Sequence, residues 1–239
     1  MPSTASLLET VAIDWSDFKE AGVRSRDLLQ HIADDRAFLE ELIESARADE
    51  KLRKMCQVHR ELAYLVIYDC LERGIRLRVH SPTVGEYDLP HDHRFSFSSH
   101  VLVGEYRHTI YERESGNEPA CQNWSMAQAP GSLADGVVPE NLRFSGLNTL
   151  WATVQTPGSS YSLHHSTIHT TLLPEEKTFT LFVRGPAEKP ASLILEPEYR
   201  RYWWKYGAAN ESQVQADRAS MSDEYFDAFV YEMRSAQVI

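Results

Sequence analysis

The chain has 239 residues and a formal net charge of −11, from 24 basic and 35 acidic side chains. This length suits one large domain, or one domain with helical additions. The acidity argues against a nucleic-acid partner and against an anionic membrane surface. Three cysteines without a Cys-x-x-Cys pair favour a reducing cytoplasm over a disulfide framework. Neither a signal peptide nor a membrane-spanning run is expected, because no basic N-terminal region leads into an apolar stretch and no apolar run is long enough.

The first 74 residues are predicted to form a helical segment that packs on the rest of the molecule. Apolar residues at helical spacing indicate one helix over residues 26–46, capped by Ser25, and a second helix over residues 48–73. Gly74 follows the second pattern and is interpreted as the C-terminal stop of that helix. These helices would lie on the outer face of a barrel or in a homodimer interface.

The pattern then changes to that of β-strands. The first strand is predicted from an alternation of Ile75, Leu77 and Val79 with Arg76, Arg78 and His80. Further short strands are predicted over residues 95–111, 147–155, 167–173, 178–184 and 193–195, with Gly and Pro turns between them. Many short strands separated by turns are typical of a sandwich or a barrel, here over residues 75–197.

Two other segments have their own composition. Residues 112–146 read as a long insertion rich in Gly, Pro, Asn and Ser, and loops of that length are usually functional or disordered. A lid over the site, disorder and a dimer contact all remain open for it. The tail, residues 198–239, begins with a cluster of aromatic residues and ends in a predicted helix from Asp223. We expect the aromatic cluster to pack against the barrel or a second subunit.

The triplet His91-Asp92-His93 is the strongest indication of chemistry. Side chains on a strand alternate between its two faces, so His91 and His93 would present two imidazoles on one side. His169 lies in a β-branched segment that is predicted to be another strand. If the two strands oppose each other inside a barrel, three imidazoles form one face, and imidazole suits Fe, Zn, Cu and Ni. Standing alone, a His-x-His pair is more often two ordinary polar residues near a turn.

The spacing of these residues resembles the two motifs of the cupin superfamily. The first motif has counterparts at Gly85, His91, His93, Phe97 and Gly104, with Phe97 where the family usually has glutamate. The ends of the second motif match Gly158 and His169, while His164 and Ser166 replace its proline and second glycine. The resemblance covers roughly residues 75–195. It implies a mainly β fold, a cupin (double-stranded β-helix, jelly-roll) barrel with N-terminal helices and a C-terminal helix.

The missing glutamate suggests a particular chemistry. Cysteine dioxygenase and its thiol-dioxygenase relatives also lack it and hold Fe(II) with three histidines, and this chain is similar to them in that respect. The resemblance implies a mononuclear non-haem Fe(II) oxygenase that uses dioxygen and a small metabolite, such as an amino acid or a derivative. One alternative is a cupin isomerase, lyase or hydrolase with Zn, Ni or Mn as Lewis acid. Another is a non-enzymatic cupin that binds a small ligand.

Several residues are candidates for the pocket around the metal. Phe95 and Phe97 continue the side-chain parity of the His pair, and are predicted to make the substrate pocket apolar. Tyr161 falls inside the second motif and is predicted to be the catalytic hydrogen-bonding residue, with packing as its alternative role. His165, or its neighbour His164, is predicted to line the mouth of the pocket, with simple surface exposure as the alternative.

Other polar residues near the site carry weaker predictions. A solvated face is favoured for the arginines of the first strand, because inward-facing cations are costly without anions. If that face looks into the barrel instead, Arg78 is predicted to hold a substrate carboxylate. Asp92 is interpreted as a turn or surface residue that points away from the imidazoles. His100 and His108 are interpreted as hydrogen-bonded barrel residues and not as ligands.

Overall fold

The structure is a computed structural model, and it describes residues 4–58, 62–83, 89–113, 147–172, 177–189, 192–196, 201–205 and 220–239. The helices are α1 (Thr4–Thr10), α2 (Phe18–Asp34), α3 (Arg36–Ala48), α4 (Glu50–Met55) and α5 (Asp223–Ser235). The first strands are β1 (Gln57–Val58), β2 (Leu62–Cys70), β3 (Ile75–Pro82), β4 (Phe97–Val103) and β5 (Tyr106–Arg113). They are followed by β6 (Leu147–Gln155), β7 (Ser160–Leu163), β8 (Ile168–Leu172), β9 (Phe179–Arg184), β10 (Ser192–Glu196) and β11 (Arg201–Lys205).

Aspartate caps set the beginnings of the N-terminal helices. The Asp17 side chain accepts a hydrogen bond from a backbone N–H in the first turn of α2, and Asp35 does the same for α3. The single helix predicted over residues 26–46 is therefore wrong, because Asp35 ends α2 and starts α3. Ser25 does not cap a helix either: it lies buried inside α2, where its hydroxyl contacts that of Ser98.

The second predicted helix is also wrong over most of its length. Helix α4 is short, and residues 62–70 form strand β2, which pairs antiparallel with β3. The segment therefore joins the six-stranded sheet, and the predicted helical unit of residues 1–74 contains strands. Gly74 does act as a stop, although for a 3-10 turn (Leu71–Arg73). Its φ of 73° is left-handed, and a Cβ there would lie 2.0 Å from the backbone oxygen of Ile13.

The strands form two main antiparallel sheets and a hairpin. The six-stranded sheet has the order β1-β2-β3-β9-β4-β7, the three-stranded sheet has the order β6-β5-β8, and β10 pairs with β11. Phe97, Leu163 and Phe182 of the large sheet pack with Ile110 of the small sheet, and we call the space between these two sheets the barrel interior. The fold-class prediction is confirmed in its mainly β character, with helices before the sheets and one helix after them.

The six-stranded sheet is covered on both faces. Ile75, Leu77 and Val79 are fully buried in the core that the sheet shares with the helices. The opposite face of β3 looks towards the barrel interior, where the His80 ring stacks on Phe182 at 4.3 Å. The solvated face predicted for Arg76, Arg78 and His80 is therefore wrong, and all three side chains are half-buried.

Most of the predicted strands are present, and β6 has the predicted bounds. Strands β7 and β11 have no counterpart among the predictions. Helix α5 begins at Asp223 as predicted and buries Phe226, Phe229, Val230 and Met233. The first two residues of the insertion predicted over residues 112–146 belong to β5, and the rest of it lies outside the described residues, as does Gly85. The side chains of the aromatic cluster also lie outside what the structure describes. The domain boundaries, a homodimer and a cytoplasmic location stay predictions. In the described part of the chain, no helix combines the length and apolar character that crossing a membrane requires.

Candidate metal centre

The structure brings together the three histidines that the sequence singles out. The backbone N–H of His91 donates to the oxygen of His169 at 3.1 Å, and that of His169 donates back at 2.9 Å. This two-bond bridge fixes the His-Asp-His segment beside β8. One ring nitrogen from each of His91, His93 and His169 lies within 4.8 Å of the others.

The closest pair of ring nitrogens has a separation suited to a shared ion. Nε2 of His93 lies 2.8 Å from Nε2 of His169. Two nitrogens bound to one ion at about 2.0–2.1 Å would be about 2.9 Å apart at a right angle and about 3.3 Å apart at the tetrahedral angle. The pair therefore fits right-angle ligation, and the donor set fits a borderline transition-metal ion.

The outer nitrogens of two of these rings are already held by hydrogen bonds. His91 Nδ1 donates to the carbonyl oxygen of Leu89 at 2.8 Å, which leaves a lone pair on its Nε2. His169 Nδ1 lies 3.1 Å from Nε2 of His108, a side chain with no exposed surface. Such bonds fix both the tautomer and the ring orientation of a metal-ligating histidine. His108 is a hydrogen-bonded barrel residue as predicted, and its contact with His169 is new.

Burial keeps His93, His169 and the neighbouring His108 uncharged near neutral pH. Burial, and then the proximity of His91, lowers the pKa of His93 and of His169 well below the ordinary histidine value. Burial also lowers the pKa of His108 to about 4, with a smaller contribution from His91. Near neutral pH the His93 and His169 imidazoles therefore carry lone pairs that a metal can use.

Asp92 departs from its prediction. It is only 3% exposed and forms an ion pair with Lys189. Its other carboxylate oxygen accepts the backbone N–H of Leu193 at 2.7 Å. The side chain therefore does not lie on the surface. It anchors the segment between His91 and His93 to β10.

The two phenylalanines lie where the sequence predicts them. The Phe97 ring meets His93 edge-on at 4.8 Å between centroids and lies 6.0 Å from His169. Phe95 lies 5.6 Å from His93 and is half-buried. Together they form an apolar wall beside the imidazoles, with Phe97 in the place of the usual acidic ligand.

Tyr161 is separated from the three clustered imidazoles by His108, which contacts both Tyr161 and His169. Its ring lies 4.4 Å from that of His108, and its hydroxyl accepts a hydrogen bond from Tyr106 at 3.0 Å. Burial raises the pKa of Tyr106 well above its ordinary value, so that hydroxyl stays protonated. The predicted catalytic role of Tyr161 stays a prediction, and its nearest imidazole is His108.

His165 is half-buried beside the site. Its carbonyl oxygen accepts the backbone N–H of His93 at 3.1 Å, and its Nδ1 lies 3.0 Å from the Glu188 carboxylate. Glu188 also accepts the backbone N–H of Ser96 at 2.7 Å. Together with His164 these two residues form a second cluster of metal-ligand types. Its partial exposure fits both the pocket mouth and the surface, so the predicted place of His165 at the pocket mouth and its role in substrate binding stay predictions.

Three basic residues lie near the site. Arg78 packs its guanidinium over the Tyr64 ring at 4.4 Å, and its predicted role in holding a substrate carboxylate stays a prediction. Arg184, at the end of β9, was missed by the sequence reasoning, although its position opposite Arg76 and Phe97 places it on the interior face. Lys189, the partner of Asp92, was also missed, because nothing in the local sequence indicates that these two residues form an ion pair.

Comparison with known proteins places few constraints on the activity. No protein-family model and no curated protein matches the chain. Among solved structures, KdgF from Halomonas sp. is 11% identical over 55% of this chain and 84% of its own, with a TM-score of 0.33. The DMSP lyase DddQ from Ruegeria pomeroyi is 12% identical over 60% of this chain and 58% of its own, with a TM-score of 0.34. An RmlC-like cupin from Shewanella frigidimarina is 16% identical over 55% of this chain and 82% of its own, also with a TM-score of 0.34. At such TM-scores the likeness carries no argument about metal, substrate or reaction.

Proposed function

We propose that this protein is a metal-dependent enzyme of the cupin type, and specifically a mononuclear non-haem Fe(II) oxygenase. In this proposal His91, His93 and His169 hold the metal, and the substrates are dioxygen and a small metabolite, such as an amino acid or a derivative. The observation that carries the proposal is the convergence of three imidazoles with a 2.8 Å separation between two of their Nε2 atoms.

The ligand set determines what the site would leave available. Three neutral ligands on one side leave the full charge of a divalent ion, and up to three coordination positions of an octahedral ion, for other molecules. Iron(II), when bound there, would supply the redox chemistry that dioxygen requires. A carboxylate in the place of Phe97 would neutralise part of that charge, and its replacement by a buried ring is the main departure from the usual motif.

The surrounding residues have separate tasks in this proposal. Phe95 and Phe97 exclude water from one side of the site and favour a substrate with an apolar part. His108 keeps the His169 ring in place through the bond to its Nδ1. Tyr161 stacks on His108 and offers a phenolic oxygen, held by Tyr106, to the interior.

A Lewis-acid reaction with Zn, Ni or Mn is the second candidate. The undiminished charge of an ion held by three imidazoles favours it, because such an ion polarises a bound carbonyl or water strongly. Metal identity and oxygen consumption separate the two candidates.

The test uses the full chain purified without added metal. Bound metals are measured, the protein is stripped with a chelator and reloaded with Fe(II) or Zn(II), and oxygen uptake is followed with a panel of amino acids and thiols. The proposal expects uptake that requires both Fe(II) and one substrate, and that is lost in His93→Ala. Tight retention of zinc, with turnover of a substrate by the zinc form and no oxygen uptake by the iron form, would replace the oxygenase with the Lewis-acid reaction.

A further inference from the structure

Arg184 is a buried cation on the inner face of the six-stranded sheet. Its exposed fraction is 9%, and its guanidinium carbon lies 4.3 Å from the centroid of the Phe95 ring. Nη1 donates a long hydrogen bond of 3.3 Å to the carbonyl oxygen of Gly185. Nε is buried and has no hydrogen-bond partner among the described residues. A guanidinium carries five N–H donors, so most of this one's capacity is unused.

The charges around Arg184 are mostly of its own sign. Arg76 lies directly opposite on β3, and burial followed by the charges of Arg78 and Arg76 lowers the pKa of Arg184 to about 8. It is still a cation at neutral pH. The carboxylate that raises the pKa of Arg184 belongs to Asp69, which is already bound to Arg76 at 2.7 Å and to Lys51 at 3.2 Å. A buried charge in this position is costly unless an anion comes to it.

The position of Arg184 connects it to the candidate metal centre. It stands directly opposite Phe97 across the β4–β9 pair, and Phe97 contacts His93. The Phe95 ring lies between the two sites, 4.3 Å from the guanidinium carbon and 5.6 Å from the His93 ring. The guanidinium is therefore no more than about 10 Å from that imidazole, a distance spanned by about three extended residues or less. A small molecule reaches both.

We propose that Arg184 is the anchor for an oxyanion group, a carboxylate or a phosphate, on the substrate of this site. The planar fork of Arg184 offers two parallel donors to such a group, and the Phe95 ring packs against the face of the guanidinium. The rest of the substrate then lies along Phe95 towards the three histidines. The inference rests on the proposed function only in assigning the anion to the substrate, because the anion site itself requires no metal.

The experiment measures anion binding to the full chain after removal of metal with a chelator. Sodium acetate, sodium phosphate and the neutral analogue acetamide are titrated at constant ionic strength, and binding is read from the rise in Tm and by calorimetry. The variants are Arg184→Gln and Arg184→Lys. The matched control is Arg24→Gln, which removes an exposed arginine whose partner is Glu20 on the same helix.

The inference expects acetate or phosphate, but not acetamide, to raise the Tm of the wild type and of the Arg24→Gln variant. The anion that binds better identifies the group. Arg184→Gln should weaken its binding about 10- to 100-fold, the range expected for lost charge-assisted hydrogen bonds. Arg184→Lys should bind the anion with an affinity between those of the wild type and of Arg184→Gln, because lysine keeps the charge but lacks the two parallel N–H donors of the guanidinium. Removing an uncompensated buried charge should also raise the Tm of the anion-free protein, which provides a second readout.

Equal anion affinity in the wild type and the Arg184 variants overturns the inference, and so does the absence of anion binding by the wild type. Either result leaves the proposed function standing if the wild type retains metal. Conversely, anion binding that depends on Arg184, in a protein whose histidine variants keep their metal, contradicts the proposed ligands and leaves the anion site intact. Metal content is therefore measured on every sample before the chelator is added.

Discussion

Replacing Asp92 by asparagine tests how the segment between His91 and His93 is held. The substitution keeps an oxygen for the Leu193 N–H and removes the charge that pairs with Lys189. Asp92 is 3% exposed, and the Lys189 side chain is 18% exposed. Burial raises the pKa of Asp92 while Lys189 works against that rise, so the carboxylate depends on its partner to remain charged.

The expected magnitude follows from this burial. Removing one partner of a buried ion pair costs about 3–5 kcal/mol, and the partial exposure of Lys189 places Asp92→Asn near the lower end, at about 3 kcal/mol. Lys189→Met should cost a similar amount, because it leaves the carboxylate buried and unpaired. The double variant should be more stable than the sum of the two losses predicts, since neither charge is then stranded.

The assay is urea unfolding of metal-free protein for the wild type, both single variants and the double variant. Lys54→Met is the control, because Lys54 and Glu50 form an ion pair in which both side chains are more than 70% exposed, and about 0.5 kcal/mol or less is expected there. A loss below about 1 kcal/mol for Asp92→Asn, together with additive single variants, would refute the role given to this buried pair.

Three further outcomes are expected. His108→Phe removes the bond to His169 Nδ1 and should weaken metal affinity about 10- to 100-fold in chelator competition, whereas unchanged affinity would show that His108 does not orient the ligand. Gly104→Ala should cost about 2 kcal/mol or more in urea unfolding, because its φ is 76° and a Cβ would lie 2.4 Å from a threonine oxygen. Gly158→Ala, with a φ of 84° and no atom within 4 Å, should cost only about 1 kcal/mol, so equal losses would argue against the clash. Metal-free protein should lose stability as the pH falls from 6.5 towards 4, because unfolded His108 takes up a proton that the folded side chain, with a pKa of about 4, refuses. The resulting loss in the free energy of unfolding is about 2 kcal/mol at pH 5. His108→Phe should therefore reduce the loss of stability between pH 6.5 and 5 by about that amount, and an unchanged slope would contradict the burial argument.

The β-strands were predictable because their signals are local. Alternation of apolar and polar side chains, together with Gly and Pro between the runs, gave β3 and β6 with nearly correct bounds. Strand β2 was missed for a physical reason. Residues 63–67 are all buried, so the run has no polar alternation, and a continuous apolar run does not distinguish a strand from a buried helix.

The three histidines were predictable because their motif spacing is a property of the sequence. The strand expected under His91 and His93 is absent, and the segment meets β8 through the isolated bridge between His91 and His169. The surroundings were not, because they depend on which sheet face looks into the barrel. The six-stranded sheet is covered by helices on one face and by the small sheet on the other, so alternation alone does not identify an exposed face. Arg78 was therefore expected in solvent, Asp92 on the surface, and Arg184 was not noticed at all. Each of these positions is decided by contacts between segments far apart in the chain.

The most direct test of the account is the metal content of single histidine variants. His91→Ala, His93→Ala and His169→Ala are each purified, loaded with Fe(II) under argon and desalted, beside the wild type and a His100→Gln control. His100 is also buried, but it bonds to the Ser160 hydroxyl and is not one of the three clustered histidines. The account predicts one metal ion per chain in the wild type and in the control, and loss of that ion in each of the other three. Full metal content in all three variants would contradict the proposed centre.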